Sequence, residues 1–443
     1  MQQSKQKIQT DMTVSPRYAL LLIALLLAQL APHLLAQPMS TTTVMPIVGP
    51  RMADITNGIP ENLPVFDGAF YQNQLFLLGE SHGFQKVQDV DFTLLKHLNQ
   101  RVGVRYYVAE VDMSKAYFLN QYLQTGNDST LMRVFRSWIQ ETAQWANRDF
   151  FRKIQRIRAL NQTLPASRQI RFLGLDRIQD RALVADHLGE LLAGKKLPAS
   201  ARILTDSLRI RLTTKTPDSL RADLAEKLLT NLTAKSTDYQ KAIGAATVTE
   251  FRHLLQNVVY LKTLRSREKT IVANFQTLYK TMNLQTEKLY GLWGFFHVLQ
   301  AKLPDGVTSF AAMLRELDLP VRDKIVSLSC SYVGSKMMVP TAFLPPFWQE
   351  KGKIYSRVDK FNNDGPMMIT EGIETLKAAT QPNTVTLFKL VGSVAGSQPI
   401  TVSYSPFMPK EQQMMFDPAR PVTDYYQYVV LIRDSDATEP LLP

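Results

Sequence analysis

Short apolar runs that end in an acidic or histidine side chain alternate with segments of helical spacing, and this alternation constrains the fold most. The clearest runs lead into Glu80 and His82, into Glu110 and Asp112, and into Asp176. Between the first two runs, the stretch KVQDVDFTLLKHLNQ places its apolar residues on one face of a helix. Strand, helix and strand in alternation favour an α/β fold with a central, largely parallel sheet flanked by helices.

Residues 181–286 lack this alternation and contain only amphipathic helical patterns, such as DSLRADLAEKLLTNL and EKTIVANFQTLYKTM. The segment shows no heptad regular enough for a coiled coil and no internal repeat. We therefore expect one α/β domain over residues 37–443. An all-helical insertion at 181–286 is expected to cap the C-terminal edge of its strands.

The N-terminus has the pattern of an export signal. Lys5, Lys7 and Arg17 precede the apolar run YALLLIALLLAQLAPHLLA, and Ala36 occupies a suitable position before a cleavage site. We predict a signal peptide over residues 1–36 and an exported protein, periplasmic or extracellular, without membrane contact after cleavage. The alternative is an uncleaved membrane anchor, because the apolar run approaches the length of a membrane span.

The chain is basic, with a formal net charge of +12, but its Lys and Arg residues form no dense tract interleaved with aromatic side chains. We therefore expect no nucleic-acid partner. Cys330 is the only cysteine, so no internal disulfide can form. Its position in VSLSCSY predicts a small buried residue on a strand. We expect the protein to be a monomer.

Charged side chains follow several of the predicted strands. They include Glu80, His82, Glu110 and, at the end of the later run KLYGLWGFFH, His297. Ligands of open α/β sheets bind beyond the carboxyl ends of the strands, so neighbouring strands would gather these side chains at one edge. Such a group makes poor core material, because buried charge is costly unless it is paired.

The acidic residues that follow a strand could instead have a structural role, since Asp and Glu commonly cap the next helix. This alternative applies above all to Asp112 and Asp176, taken singly.

The stretch GESHG, from Gly79 to Gly83, also fits the G-x-S-x-G pattern of a serine-hydrolase nucleophile elbow. Ser81, Asp176 and His297 even occur in the chain order of that fold. Only about forty residues separate the predicted cleavage site from Ser81, however, too few for the strands that normally precede the elbow. Glu80 would also oppose the oxyanion, so we predict that Ser81 is not the nucleophile.

Six stretches resemble successive landmarks of the erythromycin esterase-like family, in the family's order: LLGESHG, YYVAEVD, NQYLQTGND, IRFLGLDRIQ, RSREKTIVANF and LWGFFHV. The C-terminal YYQYVVLIRDSDATEPL resembles the closing strand and tail of that family. The family shares a superfamily with haem-binding iron-regulated lipoproteins and Tiki metalloproteases. The resemblance implies an esterase that hydrolyses a small-molecule ester or lactone.

The resemblance implies that this chain has five catalytic residues: Glu80, His82, Glu110, Arg267 and His297. It makes His82 the general base for a hydrolytic water. The chain departs from the esterases at three points. It has one residue fewer between the first glutamate and histidine, Glu268 in place of an aspartate, and one late histidine where the esterases often have two.

The chemistry of these side chains supports a hydrolase independently. A neutral imidazole accepts a proton from water, and a neighbouring carboxylate fixes its tautomer and stabilises the imidazolium. Arg267 suits a developing oxyanion because it is always charged. Asn274 lies on the same predicted helix face as Arg267, and we expect Asn274 and Asp176 to bind the substrate.

Two competing hypotheses use the same residues. Two imidazoles and two carboxylates suit Zn²⁺, Mn²⁺ or Co²⁺, which would make the protein a metal-dependent hydrolase or peptidase. His82, His297 or a tyrosine could instead be an axial ligand in a haem-binding protein, although the chain has no CxxCH motif. We expect ester hydrolysis without a cofactor. Loss of activity with a chelator would indicate the metal-dependent alternative, and a Soret band on haem addition would indicate haem binding.

Overall fold

An eight-stranded sheet forms the centre of the structure, a computed structural model that describes residues 51–442. The predicted signal peptide, residues 1–36, lies outside the described residues. The strands in chain order are β1 (Met52–Asp54), β2 (Leu75–Glu80), β3 (Tyr106–Asp112), β4 (Arg171–Asp176), β5 (Leu289–Gly294), β6 (Ile325–Val333), β7 (Met337–Pro340), β8 (Tyr355–Val358), β9 (Phe361–Asn362), β10 (Gly365–Pro366), β11 (Met368–Thr370), β12 (Val385–Lys389), β13 (Val402–Tyr404) and β14 (Tyr428–Arg433).

The strand order in the main sheet is β1-β12-β14-β6-β2-β5-β3-β4. The strands from β14 to β4 pair in parallel, whereas β12 and β1 add two antiparallel strands at one edge. Every residue of β2 and β3 is buried, because helices cover both faces of a parallel sheet. The remaining strands form separate two-stranded pairs, β7 with β8, β9 with β10 and β11 with β13.

Thirteen α-helices lie within residues 51–442. They are α1 (Gly68–Gln72), α2 (Lys86–Val102), α3 (Met113–Thr125), α4 (Asp128–Gln140), α5 (Arg148–Thr163), α6 (Arg181–Leu191), α7 (Ala199–Thr213), α8 (Asp218–Ala234), α9 (Ser236–Ile243), α10 (Ala245–Thr263), α11 (Arg267–Thr281), α12 (Phe310–Glu316) and α13 (Ile373–Ala378).

Six of these helices, α6 to α11, fill the chain between β4 and β5. Helices α6 to α10 share an apolar core of their own, and Met113 and Ile178 belong to the same core. Because these two residues follow the carboxyl ends of β3 and β4, the helices cover that end of the sheet. The fold class predicted from the sequence, a largely parallel α/β sheet flanked by helices and capped by an all-helical segment, is therefore confirmed.

The late strand is shorter than the sequence predicts. β5 ends at Gly294, and a 3₁₀ turn over Phe295–Val298 follows, so His297 lies on this turn and not on a strand. The turn packs closely on β2, where a methyl group added to Gly79 would lie only 2.4 Å from Val298 Cγ2. The absence of a side chain at Gly79 allows this close approach.

Cys330 is buried on β6 and its thiol is free, as the sequence predicts. Among the helices of the described residues, none combines the length and the apolar character that a membrane span requires.

Candidate active site

The ends of three adjacent strands define the candidate site. Glu80 is the last residue of β2, Gly294 is the last residue of β5, and the two are paired across the sheet. Glu110 lies near the end of β3, where the pairing with β4 is irregular between Ala109 and Asp112. Such a bulge turns a side chain out of the regular alternation.

The space beside Gly294 is the point at which the site residues converge. A methyl group added there would lie 3.5 Å from His297 Cδ2, 3.6 Å from Glu110 Oε2 and 3.7 Å from His82 Cε1. These are ordinary van der Waals distances, so the space is open to one small group. The structure thus brings His82, Glu110 and His297 around a single hollow, although they are far apart in the chain.

His82 forms a close pair with Glu80. Its Nδ1 lies 2.8 Å from Glu80 Oε1; the imidazole is 26% exposed and the carboxylate is fully buried. Burial disfavours the imidazolium, but the charge and hydrogen bond of Glu80 outweigh it and raise the pKa of His82 above its ordinary value. With Nδ1–H donated to Glu80, Nε2 keeps a lone pair, and it has no hydrogen-bond partner among the described residues.

Trp145 packs against the imidazole of His82, with 4.3 Å between the ring centroids. Gln144 next to it donates hydrogen bonds to the backbone carbonyls of His82 and Met338, at 3.1 and 2.6 Å. This segment therefore holds the backbone and the ring of His82 in place. Neither residue is predicted from the sequence, because both lie between α4 and α5 in a stretch without a recognisable motif.

Glu110 is surrounded by donors. Its Oε2 accepts a hydrogen bond from the backbone N–H of Gly294 at 2.7 Å, and its Oε1 accepts one from Arg267 Nη2 at 2.7 Å. Burial opposes ionisation of this carboxyl. His297, His82 and Arg267 nevertheless hold the pKa of Glu110 well below its usual range. Glu110 is therefore a fixed negative charge at the centre of the site.

Arg267 begins α11 and is clamped by two carboxylates. Its Nε and Nη2 donate to the two oxygens of Asp176 at 3.0 and 2.6 Å, and Nη2 also donates to Glu110. Burial opposes the charge of the guanidinium, but these carboxylates raise the pKa of Arg267 further above its already high value. The predicted substrate-binding residue Asp176 is buried, and its oxygens are taken up by Arg267, Gln179 and a backbone N–H.

His297 lies between two carboxylates. Its Nδ1 is 2.9 Å from Glu268 Oε1 and its Nε2 is 3.4 Å from Glu110 Oε1. Burial disfavours the charged ring, yet Glu110 and Glu268 outweigh it and raise the pKa of His297 to about 9. The ring is therefore an imidazolium at neutral pH. Arg267 Nη1 lies 3.1 Å from its Nε2, so two cationic groups are in contact here, and Glu110, which is close to both, offsets their repulsion. In the sequence, Glu268 stands out only as a departure from the family pattern.

Asp112 and Asn274, two further candidates from the sequence, have structural roles in the fold. Asp112 caps α3, since its Oδ1 accepts hydrogen bonds from the backbone of Ser114 and Lys115 at 2.9 Å. Asn274 was predicted to bind substrate, but it is fully buried and its amide bonds with Leu175 O and Asn257. It therefore joins α11 to β4 and α10, and it reaches no solvent in this structure.

The GESHG stretch has a structural explanation that needs no nucleophile. Gly83 has a φ of +96°, and a methyl group there would lie 2.4 Å from Met338 O. Ser81 is not among the residues with positive φ in the described part of the chain, and its Oγ bonds to no imidazole there. The elbow geometry, in which a strained serine contacts a histidine, is therefore not formed.

The carboxylates of the candidate site are already engaged by other side chains. Within residues 51–442, no group of three His, Cys, Asp or Glu side chains has the arrangement of a metal site. The guanidinium of Arg267 lies between Glu110 and Asp176 and neutralises the charge on which a divalent cation would depend. Glu80 is likewise engaged with His82.

Comparison with known proteins shows what part of the chain resembles a known family. A family model described as erythromycin esterase matches residues 100–288. This range contains Glu110, Asp176 and Arg267, whereas Glu80, His82 and His297 lie outside it. The resemblance to this family that the sequence motifs predict is confirmed over this range. No curated protein matches the chain by sequence.

Solved structures share the fold at low identity. A protein from Bacillus cereus is 14% identical with a TM-score of 0.59, covering 83% of this chain and 90% of its own. A mutant of the erythromycin esterase EreC in its open conformation is 13% identical with a TM-score of 0.54, covering 84% and 93%. A succinoglycan biosynthesis protein is 15% identical with a TM-score of 0.53, covering 83% and 89%.

Proposed function

We propose that the protein is a hydrolase that cleaves an ester or lactone with a water molecule activated by His82. The observation that carries this proposal is the state of the His82 imidazole. Its Nδ1 is bound to the buried carboxylate of Glu80, and its Nε2 is unpaired among the described residues at a partly exposed ring. An imidazole in this state can accept a proton from water.

Glu80 fixes the tautomer of the base. As long as Nδ1–H is donated to Glu80, the lone pair of His82 resides on Nε2. When Nε2 takes the proton of the attacking water, the carboxylate stabilises the imidazolium that forms. The second oxygen of Glu80 is buried and has no hydrogen-bond partner among the described residues, so the adjacent imidazole is the group that its charge stabilises.

His297 and Arg267 supply positive charge on the opposite side of the hollow. Attack of water on the carbonyl carbon creates a tetrahedral oxyanion, which these two fixed cations stabilise in a partly buried, low-dielectric site. The carbon–oxygen bond to the leaving group then breaks. The alkoxide takes the proton held by His82, and the products are a carboxylic acid and an alcohol.

The remaining carboxylates hold the cations in position. Asp176 and Glu110 fix the guanidinium of Arg267, and Glu110 and Glu268 lie at the two nitrogens of His297. Pre-oriented charges of this kind need no rearrangement when the oxyanion forms.

Hydrolysis of an ester and lactone panel by the mature chain tests the proposal. We expect His82→Ala and Glu80→Ala to abolish hydrolysis while circular dichroism shows an intact fold, and Ser81→Ala to remain active. Full activity of His82→Ala would remove the base assignment. Activity that is lost with a chelator and restored by Zn²⁺, Mn²⁺ or Co²⁺ would instead support the metal-dependent alternative. A Soret band on haem addition would support the haem-binding alternative.

We also propose that the protein is exported, on the basis of the N-terminal pattern in residues 1–36. Expression of the full chain followed by N-terminal sequencing of the periplasmic or secreted fraction tests this. We expect a mature N-terminus at Gln37, and a full-length product retained in the membrane fraction would show an uncleaved anchor.

A further inference from the structure

The loop between β7 and β8 exposes several large apolar side chains close together in the chain. We call residues 341–354 the β7–β8 loop; it joins two paired strands. Phe343 is 72% exposed, Phe347 is 68% exposed and Ile354 is 58% exposed. Phe343 has the largest exposed fraction among the large apolar residues that the structure describes. Single exposed apolar residues are ordinary on a protein surface, whereas a group of them marks a surface that contacts something.

The β7–β8 loop is held in place by its own hydrogen bonds. Thr341 N–H donates to Ile354 O at 2.8 Å, which joins the two ends of the loop. The hydroxyls of Thr341 and Ser356 hydrogen-bond to each other, and Glu350 N–H donates to Ser356 Oγ, both at 2.8 Å. Leu344 is buried and anchors the loop in the core. Because the backbone is already ordered, little conformational entropy is lost when the exposed side chains are covered.

Cations accompany these apolar side chains. Lys351 and Lys353 are exposed in the β7–β8 loop, and Arg357 is exposed on β8. None of the three is ion-paired within the described part of the chain, unlike the next lysine, Lys360. The only acid of the loop, Glu350, is half-buried, and its Oε1 accepts a hydrogen bond from the backbone N–H of Arg357 at 2.7 Å. The surface is therefore basic as well as apolar.

An anionic lipid surface matches both properties. Aromatic and other apolar side chains enter the boundary between headgroups and acyl chains, while lysine and arginine lie at the level of the anionic headgroups. Two other occupants fit less well. A strongly acidic protein would pair with the cations but would leave the phenyl rings without an apolar counterpart. A second copy of this chain, docked loop to loop about a two-fold axis, would bring like charges together.

The β7–β8 loop is attached to the part of the molecule that carries the candidate site. Met338 on β7 donates its N–H to Gly83 O at 3.0 Å, directly after His82 in the chain. Gln144 Nε2 then bridges the two segments, since it donates to Met338 O at 2.6 Å and to His82 O at 3.1 Å. A surface that docks through the loop therefore approaches the protein on the side of His82.

We propose that the β7–β8 loop, together with Arg357, docks the mature protein peripherally on the surface of an anionic lipid bilayer. Phe343, Phe347 and Ile354 enter the interfacial layer, and the three cations lie against the headgroups. Such contact needs no membrane span. It differs from the sequence-based expectation that the mature chain makes no membrane contact, because that expectation considers only the N-terminal apolar run. The proposal does not depend on hydrolysis at the candidate site.

Cosedimentation of residues 37–443 with lipid vesicles tests the proposal. This chain contains every described residue and lacks the N-terminal apolar run, whose own affinity for lipid would mask the loop. We expect saturable binding to vesicles of equal parts phosphatidylglycerol and phosphatidylcholine. Binding to vesicles of phosphatidylcholine alone should be at least about tenfold weaker, and concentrated NaCl should weaken binding to the anionic vesicles.

The apolar contribution is tested by the double variant Phe343→Ser and Phe347→Ser. Each phenyl ring that leaves water should strengthen binding about tenfold, so we expect the double variant to bind about 100-fold more weakly. Phe407→Ser is the matched control, because its ring is 69% exposed and lies outside the loop. It should bind like the wild type. All three phenyl rings are exposed, so the melting temperatures should match as well.

The charge contribution is tested by the double variant Lys351→Gln and Lys353→Gln. A lysine near an anionic lipid surface strengthens binding about fivefold, so we expect about 25-fold weaker binding to the anionic vesicles. Binding to phosphatidylcholine vesicles should not change. The double variant Lys195→Gln and Lys196→Gln, which alters two exposed lysines between α6 and α7, is the matched control and should bind normally.

Four results would overturn the proposal. They are the absence of saturable binding, equal binding to both kinds of vesicle, unchanged binding by the double phenylalanine variant, and a dimer of the wild type in sedimentation velocity that this variant dissociates. The last result would show that a second copy of the chain covers the loop. None of these measurements uses hydrolytic activity, so a failure here is distinct from a failure of the proposed hydrolase.

Discussion

Glu268 Oε1 lies 2.9 Å from Nδ1 of His297, on the side of the ring opposite to Glu110. Two carboxylates thus share one imidazole, and this arrangement keeps His297 charged at neutral pH. The relationship distinguishes the two histidines of the site. His82 has one carboxylate partner and a free Nε2, whereas His297 has a carboxylate at each nitrogen.

Glu268→Gln should lower the pKa of His297 from about 9, because the amide keeps the size of the side chain but removes its negative charge. We expect the alkaline limb of the pH profile of kcat/KM to move down by about one pH unit, since this profile reports groups of the free enzyme. Glu287→Gln, which alters a glutamate paired with Arg105 away from the site, is the control and should leave the limb in place. An unmoved limb in Glu268→Gln would show that Glu268 does not hold the proton of His297.

The wild-type profile should be bell-shaped. Hydrolysis requires neutral His82, whose pKa is raised above 6.5, so activity should rise with pH on the acidic side. It also requires charged His297, so activity should fall as pH rises through about 9. Glu80→Gln removes the charge that raises the pKa of His82, and any residual activity should have its acidic limb at lower pH. A flat profile between pH 6 and 10 would contradict both assignments.

Gly294→Ala tests the hollow without removing a functional group. The added methyl group meets His297, Glu110 and His82 only at 3.5–3.7 Å, so the fold should be unaffected. The methyl group occupies the space that we assign to water and substrate, and we expect activity to fall about 100-fold, equivalent to about 3 kcal/mol in activation free energy. Gly68→Ala, where an added methyl group contacts nothing within 4 Å, should keep full activity. Thermal unfolding of both variants should match the wild type.

The pair of Lys153 and Asp91 should be important for stability. The two side chains are 1% and 0% exposed, with 2.5 Å between Nζ and Oδ2, and Tyr107 and Tyr290 donate to the same carboxylate. Lys153→Met leaves a buried carboxylate without its cation, so we expect a loss of about 3–5 kcal/mol in urea unfolding. Lys389→Met removes the partner of the half-exposed Asp67 and should cost less than about 1 kcal/mol.

His253 should make the protein less stable in acid. It is buried, neither ring nitrogen has a partner among the described residues, and burial lowers its pKa to about 4, with Glu250 opposing this and His187 adding to it. The unfolded chain binds this proton near pH 6.5 and the folded chain only near pH 4. Stability is therefore lost as pH falls through this window, by at most about 3 kcal/mol. His253→Leu should remove that part of the pH dependence, measured by urea unfolding at pH 7 and pH 4.5.

Most residues of the candidate site could be predicted from the sequence, because charged and histidine side chains directly follow the apolar runs that form strands. The alternation of apolar runs and helical patterns predicted a parallel sheet, and in such a sheet the residues after the runs share one edge. The side chains at or just after these runs, Glu80, His82, Glu110 and His297, can therefore be predicted as a cluster from the sequence. The family resemblance added Arg267, which no periodicity would have singled out.

Other parts of the site depend on contacts that leave no local pattern. Glu268 has no motif of its own, and it matters because a 3₁₀ turn after β5 brings the ring of His297 next to it. Trp145 comes from a loop between two helices and reaches His82 only in the folded chain. Asp176 was predicted to bind substrate, but the position of α11 places Arg267 in contact with its carboxylate.

The sequence by itself determined the layered α/β architecture, the edge at which the site lies and most of the side chains that compose it, because periodicity and residue chemistry are local properties. Only the tertiary structure decided how protons and charges are distributed among those side chains. The partner of each imidazole, carboxylate and guanidinium is set by strand order, by the bulge in β3 and by packing between residues up to about 190 positions apart, such as Glu110 and His297. A pKa depends on these distances and on burial, and neither can be read from the order of residues.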